Sequence, residues 1–238
     1  MKSKRIKISL ITNGILAILI IVVLSVGFIP QAVLPASSSS EIKAYYNGNR
    51  SKPNVSLMFN VYENTPVVLS IMNLLNERGL KATFFVGGCW ADDNGDALNQ
   101  LVQSGHEIAN HGYFHKDHKK LSYEQNLQEI KLTGSIVNAL CGVKTQLFAP
   151  PSGSFSQQTL ASANELGYKV IMWSKDTIDW RDKDVSLIVK RATNKVTNGD
   201  LILMHPKEHT LKALPTILDY FDSVGLKQVK VSQNISDS

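Results

Sequence analysis

The chain has few cysteines. Its 238 residues include only two, Cys89 and Cys141, which are too few to frame a small secreted scaffold with disulfides. One disulfide and two unpaired thiols are both compatible with the sequence. The chain also has no Gly-x-Gly-x-x-Gly or P-loop pattern after its first predicted strand, which argues against a doubly wound nucleotide-binding domain.

Charged side chains are nearly absent from the first 40 residues. The only ones there are four basic residues, Lys2, Lys4, Arg5 and Lys7. The rest of the chain, residues 41–238, therefore holds 21 of the 25 basic residues and all 20 acidic residues, a net charge of +1. A body so close to neutral argues against electrostatic binding to a phosphate backbone, and no nucleic-acid partner is predicted.

An uncharged stretch, residues 8–30, follows the basic residues and is almost wholly aliphatic from Ile15 to Ile29. At about 1.5 Å per residue it is long enough to cross a hydrocarbon core about 30 Å thick. The sequence predicts an uncleaved single-pass transmembrane helix; the alternative is a cleaved signal segment and a secreted protein. Because the basic flank, residues 1–7, stays in the cytoplasm, the body is predicted to face outward from the cell membrane.

The composition of residues 31–238 separates a tether, a folded domain and a short tail. Pro35 and the run from Ser37 to Ser40 indicate a flexible tether over residues 31–51. The 43% hydrophobic content excludes a disordered chain, and residues 52–232 are enough for one domain with a sizeable core, followed by a tail at 233–238.

Seven short β-rich runs alternate with helical patterns in this domain. A glycine precedes six of them by two to four residues, as expected where a helix ends in the left-handed conformation before a strand begins. The alternation predicts an α/β fold with a parallel sheet, either doubly wound or closed into a barrel. The seven runs are Val55–Val61, Ala82–Val86, Glu107–Asn110, Gln146–Phe148, Lys169–Trp173, Leu201–Met204 and Gln228–Val231.

Two helix starts have clear sequence signals. Ser122 with Gln125 three residues later predicts a capping box. Thr65 followed by Pro66 predicts an N-cap and a proline at the first helical position.

Polar side chains collect just after the predicted strands, where parallel α/β folds place their chemistry. His111 and His115 follow the third run four residues apart, so they either present two imidazoles to one metal or are surface histidines. His205 follows the sixth run as a lone histidine, and its role depends on an acid such as Asp179 beside it. The acids and indoles from Trp173 onward suit an acid–base partner and a flat apolar wall, or core packing.

Five spaced elements in this order resemble the polysaccharide deacetylases of carbohydrate esterase family 4, also called the NodB homology domain, over about residues 52–232. They are Lys81–Val86, Gly105–His115, Phe148–Gly153, Trp173–Trp180 and Leu203–His205. The resemblance implies an irregular (β/α)7 barrel related to the TIM barrel. It also implies a divalent metal, usually zinc, held by one Asp and two His, and an N-acetylated cell-wall polysaccharide such as peptidoglycan as the partner.

The resemblance assigns roles residue by residue. His111 and His115 match the two ligand histidines, His205 matches the acid that protonates the leaving amine, and Asp179 matches its tuning partner. The residues expected to line the acetyl pocket or hold the oxyanion are Trp173, Leu203, Pro151 and the backbone N–H near Ser152.

The chain departs from the family where the general base and the third ligand belong. Asn60 occupies the base position and cannot accept a proton as a carboxylate does, and Val61 occupies the position of the carboxylate ligand. Ala149 stands where the family has an arginine that orients the base. Metal binding is therefore expected to be weak or absent. The pattern resembles a deacetylase-like branch associated with sporulation in Gram-positive bacteria.

Two functions follow from this mixture of retained and lost residues. One is an outward-facing hydrolase that removes acetyl groups from N-acetylated wall sugars, a reaction at a carbon–nitrogen bond that is not a peptide bond. Its third metal ligand would be water, Glu63 or His118. The other is a catalytically impaired family member that acts as a glycan-binding module.

Overall fold

The computed structural model describes residues 42–236. No helix within that range is long and apolar enough to cross a membrane. The predicted anchor at residues 8–30 and the first part of the predicted tether lie outside the described residues and stay predictions. The tether prediction is wrong for residues 42–51, because Ala44 and Tyr45 pair with Val170 and Ile171 in the sheet and the Gly48 N–H donates to the Gly199 carbonyl at 2.7 Å.

The described residues build one curled, almost wholly parallel sheet. Its nine strands are β1 (Ala44–Tyr45), β2 (Asn54–Val61), β3 (Thr83–Val86), β4 (Glu107–Asn110), β5 (Leu147–Phe148), β6 (Lys169–Ile171), β7 (Lys175–Asp176), β8 (Leu201–Met204) and β9 (Lys227–Gln228). They run in the order β1-β6-β5-β4-β3-β2-β8-β7, and β9 pairs with β2.

This strand order decides between the two predicted architectures. Strands β2 to β6 are neighbours in chain order, and β8 returns to pair in parallel with β2. A doubly wound sheet winds outward from its switch point, which would place β7 beside β2 and β8 beyond it. Here β8 lies beside β2 and β7 beyond it, the cyclic order of a barrel opened between β6 and β7, so the doubly wound alternative is wrong. No ladder joins β6 to β7 among the described strands, although Asn47 forms an isolated antiparallel bridge with Asp200 across that side. The result is a half-barrel.

Helices connect the strands. They are α1 (Thr65–Glu77), α2 (Gly88–Asp93), α3 (Gly95–Gln103), α4 (Tyr123–Cys141), α5 (Gln157–Glu165), α6 (Val185–Thr193), α7 (Glu208–Ser223) and α8 (Val231–Ile235), with short 3-10 turns at His118–Lys120 and Pro151–Gly153. The capping box of Ser122 and Gln125 is present at the start of α4.

The predicted N-cap of α1 is wrong by one residue. Asn64, in the left-handed conformation, is the N-cap, and Thr65 is already helical. The Thr65 hydroxyl is engaged elsewhere, since it donates to Asn94 Oδ1 at 2.7 Å and accepts from Trp90 Nε1 at 3.0 Å. The last predicted strand is also too long, because Val231 begins α8 and its N–H donates to the Thr83 hydroxyl. Cys89 and Cys141 are both free thiols.

Alternation along β2 sorts its side chains into two layers, as expected for a strand buried on both faces. Val55, Leu57, Phe59 and Val61 pack into the apolar layer shared with the surrounding helices. Met58 packs on the inner face with Leu203 and Ala149. Asn60, the next inward position, therefore points to the inside of the half-barrel.

Candidate functional site

The carboxyl ends of the strands surround a cavity of about 350 Å³. It contains seven of the nine residues predicted for the site, and these come from five separate segments of the chain. Its lining is Asn60, Tyr62, His111, His115, Ser152, Trp173, Asp176, Trp180, Leu203 and His205. The other two predicted residues, Pro151 and Asp179, are buried and do not line it.

Asp179 is hydrogen-bonded on both oxygens. Oδ1 lies 2.7 Å from His205 Nδ1, and Oδ2 accepts the His205 backbone N–H at 2.7 Å and the Thr210 hydroxyl at 2.6 Å. Since the carboxylate receives Nδ1–H, the Nε2 atom of His205 is left for the cavity. Asp179 thus fixes both the position and the tautomer of His205, which makes it a positioning residue.

His111 is held in a similar way from the other side. It follows β4, is fully buried, and its Nδ1 lies 2.8 Å from the Ala149 carbonyl oxygen. Because a carbonyl only accepts, Nδ1 carries the proton and Nε2 keeps its lone pair. Burial lowers the pKa of His111 well below its ordinary value, and proximity to His115 acts in the same direction. A neutral imidazole with a free Nε2 is the form that binds metal.

His115 completes the pair predicted from the sequence. Its ring centroid lies 5.2 Å from that of His111, and burial also lowers its pKa. The intervening loop is held by the buried carboxylate of Glu129, which accepts the backbone N–H groups of Tyr113 and Phe114 at 2.9 and 2.8 Å. His115 adopts the left-handed region with φ of 53°, a conformation that non-glycine residues rarely adopt.

The turn after β5 places Ser152 at the cavity wall. Ser152 has φ of 56°, again in the left-handed region, and the next residue, Gly153, lies against the indole of Trp173. A Cβ on Gly153 would come within 2.6 Å of Trp173, so the close approach requires glycine. Pro151 lies beneath the turn on the side of Gly112.

Tyr62 stands among three histidines. Its ring centroid is 4.3 Å from His115 and 6.5 Å from both His111 and His205. Burial raises the pKa of its phenol, so the ring enters the site as a neutral group. Tyr62 follows β2 directly, and it fills the space between the histidine pair and His205.

The positions that depart from the resemblance differ in where they point. Asn60 lines the cavity and is 2% exposed, and its Oδ1 has no hydrogen-bond partner. Val61 is fully buried in the apolar layer between the sheet and the helices. Ala149 is also fully buried, on the inner face, and its carbonyl holds His111.

A family model for polysaccharide deacetylases matches residues 47–171, just over half of the sequence. The chain belongs to the polysaccharide deacetylase family.

Two relatives of this family member differ in what their names say. The uncharacterized protein YlxY of Bacillus subtilis is 34% identical over 180 residues, covering 76% of this chain and 56% of YlxY. A Bacillus cereus peptidoglycan-N-acetylglucosamine deacetylase is 28% identical over 189 residues, covering 77% of this chain and 69% of that enzyme. The chain thus spans just over half the length of YlxY.

A solved structure that is similar belongs to BA3943 of Bacillus anthracis, described as a CE4 family pseudoenzyme. It matches with a TM-score of 0.79 and 30% identity, covering 81% of this chain and 69% of BA3943. A BA3943 mutant described as having restored enzymatic activity matches with the same TM-score, at 29% identity over 81% of this chain and 71% of the mutant.

The family's metal does not fit the donor set of this chain. The described residues contain no group of three or more His, Cys, Asp or Glu side chains placed to hold one ion. Of the two side chains predicted, beside water, as substitutes for the third ligand, Glu63 forms an ion pair with Lys207. The other, His118, is fully buried and bonds Asn126 Oδ1 through Nδ1 at 2.7 Å. Neither lines the cavity with the histidine pair.

One lining residue, Tyr62, was not predicted for the site. It follows directly after β2, and that position is the signal that could have found it. Asp176 and Trp180 belong to the acids and indoles singled out from Trp173 onward, and both line the cavity. Trp180 is 53% exposed at the cavity, which identifies it as part of the rim and not of the core.

Proposed function

We propose that this protein is a catalytically impaired deacetylase-family member that binds N-acetylated cell-wall polysaccharide, such as peptidoglycan, in the cavity. One observation carries the proposal: the base position is an amide, Asn60, and no three His, Cys, Asp or Glu side chains among the described residues are placed to hold one ion there. Hydrolysis of an N-acetyl group needs a base to take the proton of the attacking water, and losing that group typically costs about 10²–10⁴-fold in rate.

The shape of the rim supports a carbohydrate ligand. Trp180 is 53% exposed and lines the cavity, and Phe114, 57% exposed, projects from the loop between the two histidines. The apolar faces of sugar rings pack against exposed aromatic rings, and exposed apolar surface beside a cavity with a few convergent polar groups is typical of ligand sites. The Glu129 hydrogen bonds to this loop hold Phe114 in place before a ligand arrives.

The relatives support the same conclusion. BA3943 is described as a pseudoenzyme of this family and as recovering activity in a mutant. Loss of chemistry on an intact scaffold therefore occurs among proteins of this fold. The peptidoglycan deacetylases among the relatives support wall glycan as the ligand class.

Residual hydrolysis is the second candidate, and the intact pair of His205 and Asp179 favours it. In that reading His205 protonates the leaving amine while Asp179 positions it. Trp173 and Leu203 enclose the acetyl methyl group, and the N–H near Ser152 faces the carbonyl oxygen. A divalent metal, zinc first, would have to be completed by a ligand that the described residues do not supply.

We also propose that residues 8–30 anchor the chain in the cell membrane with the deacetylase-like domain outside. The support is the sequence pattern of a basic flank followed by an uncharged apolar run. We propose two more features from the sequence resemblance alone. One is a complete (β/α)7 barrel around the half-barrel of the described residues, and the other is a role in sporulation.

The test uses the purified full-length chain. We expect saturable binding to wall-glycan fragments that is unchanged by a chelator, no stoichiometric bound metal, and no acetate release under conditions where an active family deacetylase releases it. Acetate release that the chelator and His205→Ala both abolish would instead establish the hydrolase. Absence of both binding and release would overturn the two candidates together.

A further inference from the structure

A second cleft, which we call the α4 cleft, lies at the other end of the sheet from the cavity. It is bounded by α4 and by the segments that lead into β5 and β6, and its volume is about 320 Å³. Because β4, β5 and β6 are parallel, the residues just before β5 and β6 lie at the amino ends of the strands, opposite the cavity. The polar side chains of its lining are Lys131, Ser135, Asn138, Lys144, Thr145 and Tyr168.

Hydroxyl groups join the walls of the α4 cleft. The Tyr168 hydroxyl lies so close to Gly134 of α4 that a Cβ on this glycine would collide with it. The same oxygen lies 2.7 Å from the hydroxyl oxygen of Thr145, which is only 4% exposed. It also lies 3.4 Å from Nδ2 of the fully buried Asn110. These contacts hold the cleft in shape without a ligand.

The direction of these hydrogen bonds leaves one proton for a ligand. Asn110 Oδ1 accepts the Gly112 N–H, so the amide atom that faces Tyr168 is the nitrogen, which can only donate. Tyr168 accepts this bond and donates its own proton to Thr145. The Thr145 hydroxyl proton then has no acceptor among the described side chains that it contacts. A buried donor without an acceptor favours a ligand that supplies one.

Two lysines give the α4 cleft a local positive charge. Lys131 and Lys144 are exposed, and neither forms an ion pair among the described residues. No carboxylate of the described residues lines the cleft. Two acids that flank it in sequence, Glu129 and Glu165, are engaged by a lysine and by a tyrosine hydroxyl. The near-neutral net charge of the body therefore conceals two uncompensated cations in one cleft.

We propose that the α4 cleft binds the phosphate group of a phosphodiester, as carried by an anionic polymer or by a lipid headgroup. The two lysines supply charge, and Ser135, Asn138 and Thr145 supply neutral donors. These groups come from two walls, α4 and the segment before β5. A tetrahedral phosphate directs oxygens toward both walls, whereas a planar carboxylate directs its two oxygens to one side. The site is independent of the proposed function.

The experiment measures the phosphorus NMR line width of inorganic phosphate added to the full-length protein, held in a neutral detergent at neutral pH. We expect saturable broadening. Lys131→Gln and Lys144→Gln should each weaken binding by about tenfold, as expected for one lost charge-assisted hydrogen bond at an exposed site. Thr145→Val, which keeps the shape and removes the hydroxyl, should weaken it by a smaller factor. Lys212→Gln is the matched control, since Lys212 is an exposed lysine on α7 that does not line the cleft.

Two competitors distinguish the sources of the phosphate group. An oligomer of glycerol phosphate represents a polymer, and phosphatidylglycerol mixed into the detergent micelles represents a lipid headgroup. The one that displaces inorganic phosphate at the lower concentration identifies the source, and displacement by neither would overturn the phosphodiester assignment.

Three other results would overturn the site itself. They are the absence of broadening, an equal loss of binding in Lys212→Gln, and unchanged binding in both Lys131→Gln and Thr145→Val. None of them bears on glycan binding, because the cavity and the α4 cleft share no lining residue.

Discussion

The two sides of the cavity differ in how completely their side chains are hydrogen-bonded. The acid side holds His205 and Asp179, and the base side holds Asn60 and Val61. On the acid side, every oxygen of Asp179 is used, and His205 is held through both its ring and its backbone. On the base side, Asn60 has an oxygen without a partner and Val61 faces away from the cavity into apolar packing. The asymmetry lies within one cavity and one fold.

The acid side has a structural reason to persist without catalysis. Asp179 follows β7, His205 follows β8 and Thr210 lies on α7, so one carboxylate joins three elements of the sheet edge. His209 adds a bond from Nε2 to the Asp179 backbone oxygen at 2.7 Å. The presence of Asp179 and His205 therefore does not by itself indicate catalysis, because their loss would also remove hydrogen bonds that stabilise this edge of the sheet.

Val61→Asp should produce the largest effect. The side chain is fully buried among apolar groups, and a carboxylate there has no partner, so we expect a loss of about 4 kcal/mol in the free energy of unfolding. Val61→Ala, which only removes methyl groups, should cost about 2 kcal/mol. Urea unfolding of both variants measures the difference.

Added zinc tests whether a carboxylate at position 61 can reach the two cavity histidines. In the double variant Asn60→Asp with Val61→Asp, added zinc should raise the melting temperature if the new carboxylate can turn toward His111 and His115, because ligand binding stabilises the folded state. The wild-type protein should show no such rise. An equal rise in the wild-type protein would mean that its existing side chains already complete a metal site.

Asp179→Ala should produce the next largest loss of stability. The change leaves the His205 ring, its backbone N–H and the Thr210 hydroxyl without an acceptor inside the protein, and we expect about 3 kcal/mol of destabilisation. His205→Gln, which leaves Asp179 with its other two donors, should cost less. A loss under about 1 kcal/mol for Asp179→Ala would show that water replaces the carboxylate and that the acid side is not a structural joint.

Trp180→Ala tests the rim, which both sides of the cavity share. The side chain is half exposed, so stability should hardly change, while affinity for wall-glycan fragments should fall by roughly tenfold. Tyr220→Ala is the matched control, since Tyr220 is 39% exposed on α7 and does not line the cavity. Equal losses in the two variants would argue against a ligand stacked at the rim.

The sequence predicted most of the scaffold because its signals are local. Left-handed glycines precede six of the seven predicted strands, and five of the six directly follow a helix end; β1 and β7 lack this signal and were not predicted. The capping box at Ser122 lies where the pattern placed it. Two wrong predictions concern single residues at the ends of elements, and both have tertiary causes. Thr65 was engaged by Trp90 and Asn94 from another helix, and Val231 began a helix because its N–H bonds across to Thr83. Tertiary partners of this kind leave no trace in a short sequence window.

Site prediction met a similar limit. Motif spacing brought His111, His115 and His205 to one cavity, yet no spacing rule states which way Val61 points or that Tyr62 occupies the space between the histidines. The direction of Val61 depends on which alternate residues of β2 face the inside of the half-barrel. The position of Tyr62 depends on how the chain bends after β2. The sequence left water, Glu63 and His118 open as the third metal ligand, and the structure places neither of the two side chains in the cavity lining with His111 and His115.

Asn60→Leu should have the smallest effect on stability, although Asn60 is as buried as Asp179. Its Oδ1 accepts no hydrogen bond from the protein, so the substitution breaks no internal bond at that atom, and the free energy of unfolding should stay within about 1 kcal/mol of the wild-type value. Asn110→Leu is the control: this buried asparagine at the end of β4 donates to the Ile130 carbonyl at 2.7 Å and accepts from the Gly112 N–H at 2.9 Å. Its loss should cost about 2 kcal/mol or more. If urea unfolding gave equal losses for the two variants, Asn60 would have a partner within the folded protein, and the contrast between the two sides of the cavity would fail.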